Sequence, residues 1–251
     1  MSKPPPSLAG QWALVTGAGV RIGAAIARSL HAAGAGVAVH YRRSAAPAEA
    51  LVTELNAARS GSAFAVQAEL LDTARLPALV ERVLDGAGRL DILVNNASSF
   101  YPTPLGEITE AQWNDLMGTN LKAPLFLAQA AADELRARRG NIVNIVDIHA
   151  SRPLRQHLVY GPAKAGLAML TRSLARDLAP EVRVNGVSPG AILWPEDGWS
   201  EKARASVLRQ VPLGRVGDPE DIAGCVLYLV RDATYVTGQI IAVDGGRSIG
   251  W

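Results

Sequence analysis

The chain has 251 residues, 49% of them apolar, and a formal net charge of +2 at pH 7. That length suits one α/β domain spanning 1–251, and the near-neutral charge speaks against a nucleic-acid or membrane surface. A lone cysteine, Cys225, excludes an internal disulfide, and four scattered histidines lack the spacing of metal ligands.

Residues 1–9, with three consecutive prolines, read as a flexible tail without the apolar core of a signal peptide. No apolar run reaches membrane-spanning length, so a cytoplasmic protein is expected. Beyond the tail, strands are expected at 12–16, 36–41, 63–68, 90–95, 141–147, 182–187 and 239–243. Helices are expected at 22–33, 46–59, 74–86, 111–138, 162–178 and 219–230. Most of the strands are continuous apolar runs, as in a sheet covered on both faces. The alternation predicts right-handed crossovers and a Rossmann-like, doubly wound, mainly parallel seven-stranded sheet with helices on both faces.

The first strand runs into Thr16-Gly17-Ala18-Gly19-Val20-Arg21-Ile22-Gly23. Glycines there let the backbone turn sharply and approach a pyrophosphate, whose charge the following helix N-terminus favours. The second strand ends in His40-Tyr41-Arg42-Arg43-Ser44, where a site for NAD usually carries an acidic residue for the ribose hydroxyls. Two arginines and a serine offer donors to a phosphate instead, which predicts NADPH. Arg21 is a cation in a first helical turn, unfavourable for the helix dipole unless an anion sits beside it. After the sixth strand, the irregular stretch 188–200 carries Trp194 and Trp199 and reads as a loop that covers a ligand, with Trp194 against the substrate.

Tyr160 and Lys164 stand four apart, one turn along a helix face. The ammonium there can favour the phenolate and bring a phenol of pKa roughly 10 nearer to working pH. Thirteen positions before the tyrosine, at the end of an apolar run, sits the carboxylate of Asp147. Read blandly, it is a strand-end cap.

These pieces, with Asn95-Asn96-Ala97, Asn120, Ser188-Pro189-Gly190 and the terminal Val236-Thr237-Gly238-Gln239 and Val243-Asp244-Gly245-Gly246, resemble the short-chain dehydrogenase/reductase family along essentially the whole chain. The resemblance implies hydride transfer from a nicotinamide, with Tyr160 as proton donor. It implies that Lys164 binds the nicotinamide ribose and that Asn120 serves the proton relay. Gly17, Arg21, Ile22, Gly23, Leu70, Asn96, Ala97 and Ser98 would line the cofactor cleft, with Pro189 and Gly190 flanking the nicotinamide. Family members are usually tetramers. The Ala-rich helices 111–138 and 162–178 suit close packing between subunits, and residues 247–251 are placed to close a neighbour's site.

Two departures narrow the reading. Arg21 replaces the middle glycine of the family's turn, and Asp147 replaces its usual serine. With His40 to Ser44 and Ser98-Ser99-Phe100-Tyr101-Pro102, they are similar to the pteridine reductases, which implies NADPH and a pterin, with dihydrofolate as a further substrate. The pterin would lie between the nicotinamide and Phe100, with Ser98 and Arg21 reaching cofactor phosphate or substrate. A carboxylate would repel the oxyanion of a reacting ketone by about 4 kcal/mol at 4 Å and an effective dielectric of 20. Reducing a ring C=N instead calls for a proton, which a carboxyl beside Tyr160 can supply or relay. A ketone reductase of the same family and a silent NADP-binding regulator are the alternatives. Asp147 argues against the first, and the intact Tyr160–Lys164 pair against the second.

Overall fold

The computed structural model describes residues 7–192 and 200–249. Seven strands form one all-parallel sheet: β1 (Trp12–Val15), β2 (Gly36–Tyr41), β3 (Ala63–Gln67), β4 (Ile92–Asn95), β5 (Asn141–Ile145), β6 (Arg183–Pro189) and β7 (Ile240–Val243). Their order is β3-β2-β1-β4-β5-β6-β7, so the chain reverses its winding between β1 and β4. Ligands of open α/β sheets bind at such a switch point, outside the carboxyl ends of the strands.

The helices are α1 (Arg21–Ala32), α2 (Ala45–Ala58), α3 (Leu76–Ala87), α4 (Glu110–Met117), α5 (Ala123–Arg138), α6 (Tyr160–Asp177), α7 (Glu201–Leu208) and α8 (Pro219–Leu227). One apolar cluster joins α1, α2 and α8 to a face of the sheet through Ile26, Leu30, Val37, Val39, Leu51 and Val226. A second joins α3, α5 and α6 to the other face through Leu79, Val83, Leu93, Leu127, Leu135 and Ile142. Both faces are therefore covered, which accounts for strands with little alternation.

Several expected boundaries move. Residues 111–138 are not one helix: a π turn over Gly118–Lys122 separates α4 from α5. Thr109 starts α4 with a capping box, its hydroxyl accepting from the Gln112 amide while Gln112 Oε1 accepts from the Thr109 amide. β5 stops at Ile145, two residues before Asp147, and α6 starts at Tyr160 rather than 162. Residues 74–75 belong to a 3₁₀ turn ahead of α3, and α7 follows the stretch expected to be irregular. Leu8, expected within the flexible tail, is 3% exposed in the first core cluster, and its amide donates to the Ala33 carbonyl.

Beneath the site, a buried polar ladder ties β4, β5 and α6. Asn95 Nδ2 donates to Asn144 Oδ1 at 2.8 Å, Asn144 Nδ2 to Thr171 Oγ1 at 2.9 Å, and Thr171 to the Leu167 carbonyl at 2.8 Å. These bonds fix strand and helix in one register, while Asn95 Oδ1 is buried without a hydrogen-bond partner among the described residues.

Candidate active site

The turn after β1 is built around Thr16. Its hydroxyl accepts the amides of Asn96 at 2.9 Å and Ala97 at 3.0 Å, while Asn96 Nδ2 donates to the Thr16 and Gly17 carbonyls. The end of β4 is thereby sewn to the glycine turn. Gly17 sits at φ +61, and a Cβ on it would lie 3.1 Å from Ala97 Cα. At Gly23 a Cβ would run into the Gly17 carbonyl oxygen and lie 2.6 Å from Asn96 Nδ2. Packing within the protein thus leaves no room for a side chain at either glycine.

His40 has a different task from the one expected. Its side chain is 1% exposed, accepts the Gly17 amide at Nδ1 (3.1 Å) and faces the Ala68 carbonyl through Nε2 (3.2 Å). Burial lowers its pKa to about 4, so the ring is neutral, with its proton on Nε2. It supports the turn from below rather than meeting a ligand.

Ile22 and Tyr41 are half-buried against the first core cluster, and Leu70 is 6% exposed. Arg42, Arg43 and Ser44 are exposed where β2 hands over to α2. The first turn of α2 carries no acidic residue, and the Ser44 hydroxyl makes no capping bond. This is a cationic cradle at a helix N-terminus, chemistry that fits a phosphate. A partner not singled out by the sequence intrudes: Glu69 Oε2 lies 2.5 Å from Arg42 Nε.

Arg21 does not sit as an ordinary first-turn residue. It is exposed at φ +52, in the left-handed region where its family usually has glycine. A side chain held there costs about 1–2 kcal/mol, and such strain gathers at ligand clamps.

The chemistry centres on Tyr160 and Asp147. The phenol donates to Asp147 Oδ2 at 2.7 Å, and Asp147 Oδ1 accepts the His149 amide at 2.8 Å, capping the 3₁₀ turn Ile148–Ala150. The carboxylate is therefore both the strand-end cap and the partner of the tyrosine. The expected lowering of the Tyr160 pKa does not occur. Burial raises it far above the ordinary phenol value, and the charge and hydrogen bond of Asp147 add to the rise, with Ser98 acting in the opposite direction. Lys164 is 2% exposed and donates to the Ile145 carbonyl at 2.8 Å, with Nζ 5.7 Å from the centre of the Tyr160 ring. Burial lowers its ammonium to about 8 against the pull of Asp147. Carboxylate and burial outweigh the lysine, and the tyrosine keeps its proton.

Asn120 is placed by the π turn, a local widening frequent at functional sites. Nδ2 donates to the Ser99 and Leu116 carbonyls, both at 2.9 Å, and Oδ1 accepts from Ser98 Oγ at 2.7 Å. It shapes the 98–99 segment; its bonds among the described residues do not include Lys164. Phe100 is 57% exposed, with its ring 4.8 Å from that of Tyr160 at 77°. His157, unmarked in the sequence because no periodicity places it, stacks on Phe100 at 4.7 Å and 21°. The Tyr160 and His157 centroids are 6.4 Å apart, which sets a near-right angle at Phe100. One face of Phe100 is thus backed by His157, its edge meets Tyr160, and the opposite face is open. His157 Nε2 is buried without a hydrogen-bond partner among the described residues.

Pro189 ends β6, and the Gly190 amide donates to the Val243 carbonyl at 3.0 Å. Trp194 lies outside the described residues. The segment 247–249 folds onto its own chain: the Ser248 amide bonds Asp244 Oδ2 at 2.6 Å, and the Asp147 charge helps offset the burial that lowers the Arg247 pKa. A cavity of about 320 Å³ behind Asp147, lined also by Arg172, Ser188 and Ala242, touches neither Tyr160 nor Phe100. Among the described residues no group of side chains could hold a metal ion, and no helix is long and apolar enough to cross a membrane.

Comparison with known proteins agrees with this architecture. A family model described as "Enoyl-(Acyl carrier protein) reductase" matches residues 17–248. Pteridine reductase 1 of Leishmania tarentolae is 42% identical over 278 aligned positions, covering 94% of this chain and 96% of its own. A 3-oxoacyl-(acyl-carrier-protein) reductase of Staphylococcus aureus is 40% identical over 238 positions, covering 93% and 96%. An oxidoreductase of Methylorubrum extorquens is 38% identical over 245 positions, covering 95% and 98%. The chain belongs to the short-chain dehydrogenase/reductase family of oxidoreductases.

Proposed function

We propose that the chain is an NADPH-dependent pteridine reductase acting on a dihydrobiopterin-like pterin, with dihydrofolate as a second substrate. The observation that carries this reading is the carboxylate of Asp147, hydrogen-bonded to the Tyr160 phenol at 2.7 Å where the family usually places serine. A carboxylate disfavours the oxyanion of a ketone and suits a ring C=N that must gain a proton. NADPH supplies the hydride. Tyr160, kept protonated by burial and by Asp147, donates the proton, and Asp147 relays its replacement. Lys164 carries its charge below pH of about 8 and would hold the nicotinamide ribose. The turn from Gly17 to Gly23 would hold the pyrophosphate, and Arg42, Arg43 and Ser44 the ribose phosphate. The open face of Phe100 would stack on the pterin, with offset geometry.

The 40% identity to 3-oxoacyl reductases favours a second reading, reduction of a β-keto substrate. NADPH absorbance followed with dihydrobiopterin, dihydrofolate and a small β-ketoester separates the two. We expect turnover with the dihydropterin and little with the ketoester; consumption with the ketoester alone sinks the proposal. NADPH binding without turnover on any of the three would favour the regulator. A homotetramer in the cytoplasm is the expected state, with exposed Trp113, Leu125 and Met169 available for contacts between copies. Sedimentation velocity would test the assembly.

A further inference from the structure

The ion pair at the ends of β2 and β3 is not absorbed by the chemistry above. Arg42 Nε and Glu69 Oε2 are 2.5 Å apart, with side chains 41% and 43% exposed. The strands fix this meeting. Tyr41 is in register with Gln67, so the residues following each strand emerge side by side. The Glu69 side chain is tethered, its Oε1 accepting the Leu71 amide at 3.1 Å, and Gln67 Nε2 holds the Arg42 backbone carbonyl at 3.1 Å. The tether on Glu69 removes part of the side-chain entropy that usually cancels an exposed pair.

We propose that Glu69 is a specificity-determining residue that tempers this chain's preference for NADPH over NADH by competing with the ribose phosphate for Arg42. The inference rests on the reading of Arg42, Arg43 and Ser44 as the phosphate cradle. A phosphate arriving there meets a guanidinium whose Nε is already engaged and a carboxylate of its own sign beside it. The unphosphorylated ribose of NADH asks nothing of Arg42 and loses nothing to Glu69. The carboxylate therefore acts on one cofactor and not on the other.

The test is the ratio of dissociation constants for NADH and NADPH, measured at low salt by quenching of tryptophan fluorescence. The wild type, Glu69→Gln, Arg42→Ala and the double variant are compared. Glutamine keeps an oxygen for the Leu71 amide but no charge for Arg42. We expect Glu69→Gln to raise the ratio about two- to fivefold, through tighter NADPH and unchanged NADH. In the Arg42→Ala background the same substitution should move the ratio less than about twofold. A loss of folding would weaken both cofactors together and leave the ratio unmoved. With the NADH dissociation constant retained, which reports a folded variant, an unchanged or smaller ratio, or an equal shift without Arg42, overturns the inference. The wild-type ratio separately tests the NADPH reading: no preference for NADPH there refutes the cradle, whatever Glu69 does.

Discussion

Asp147 concentrates the consequences of the structure at the scale of a single residue. One oxygen caps the turn at His149 and the other holds Tyr160. Asp147→Asn keeps the size and the cap but removes the charge, and we expect dihydropterin turnover to fall by about 100-fold with NADPH affinity retained. Asp147→Ser restores the family's hydroxyl and should bring measurable ketoester reduction. Steady-state rates with both substrates check the pair; equal loss of NADPH binding would mean that the cap was the whole role. His157 makes a separate point. A buried nitrogen without a partner costs about 1–3 kcal/mol; His157→Phe keeps the stack on Phe100 and removes that cost but gives up the exposed bond from Nδ1 to the Arg155 carbonyl, so it should stabilise the fold by up to about 1 kcal/mol in urea unfolding. Asp147, Tyr160 and Lys164 were legible in the sequence because their spacing is local to one strand end and one helix. The direction of the tyrosine's pKa was not, because it depends on burial and on which oxygen the phenol meets. His157 was invisible for the same reason, since a loop residue acquires its meaning only from the ring it packs on.

Among the elements, the glycine turn carries the clearest strain. Arg21 occupies φ +52 at the price of its own backbone conformation. Arg21→Gly should therefore leave the ligand-free protein as stable or more stable, by up to about 1 kcal/mol, while weakening substrate or cofactor binding. Thermal unfolding with and without NADPH and a dihydropterin reports both effects, and a drop in ligand-free stability would contradict the strain. The strands and most of the helices could be read from apolar runs and 3.6-residue spacing. Helix α7 could not, because Glu201–Leu208 is short and largely polar, with a weak apolar stripe. The break between α4 and α5 escaped as well: apolar residues recur through it at Leu116, Leu121 and Leu125, so no polar gap marks it.

The whole molecule should respond to acid through His40. Its folded pKa is near 4, whereas the unfolded chain binds the proton near the ordinary value of about 6.5. Between these values the unfolded state holds more protons, so stability falls as pH drops through the window, by about 3 kcal/mol in all. Burial is the main cause; Arg82 nearby adds to it, while Glu69 and the bond to Ala68 oppose it. Chemical denaturation from pH 7 to 4 should show this slope, and His40→Gln should flatten it. A slope unchanged in the variant would assign the acid sensitivity to other groups. A doubly wound, mainly parallel sheet was expected from the β-α alternation alone, but the support that one neutral ring gives to the glycine turn belongs to tertiary packing. The π turn at Gly118–Lys122 carries a last consequence, one of counting rather than chemistry. Deleting a single residue there would restore an α-helical ladder and rotate Asn120 by about 100° around the axis, leaving Ser98 and Ser99 without their anchor. The site is thus sensitive to chain length as well as to the identity of the residue that occupies the turn.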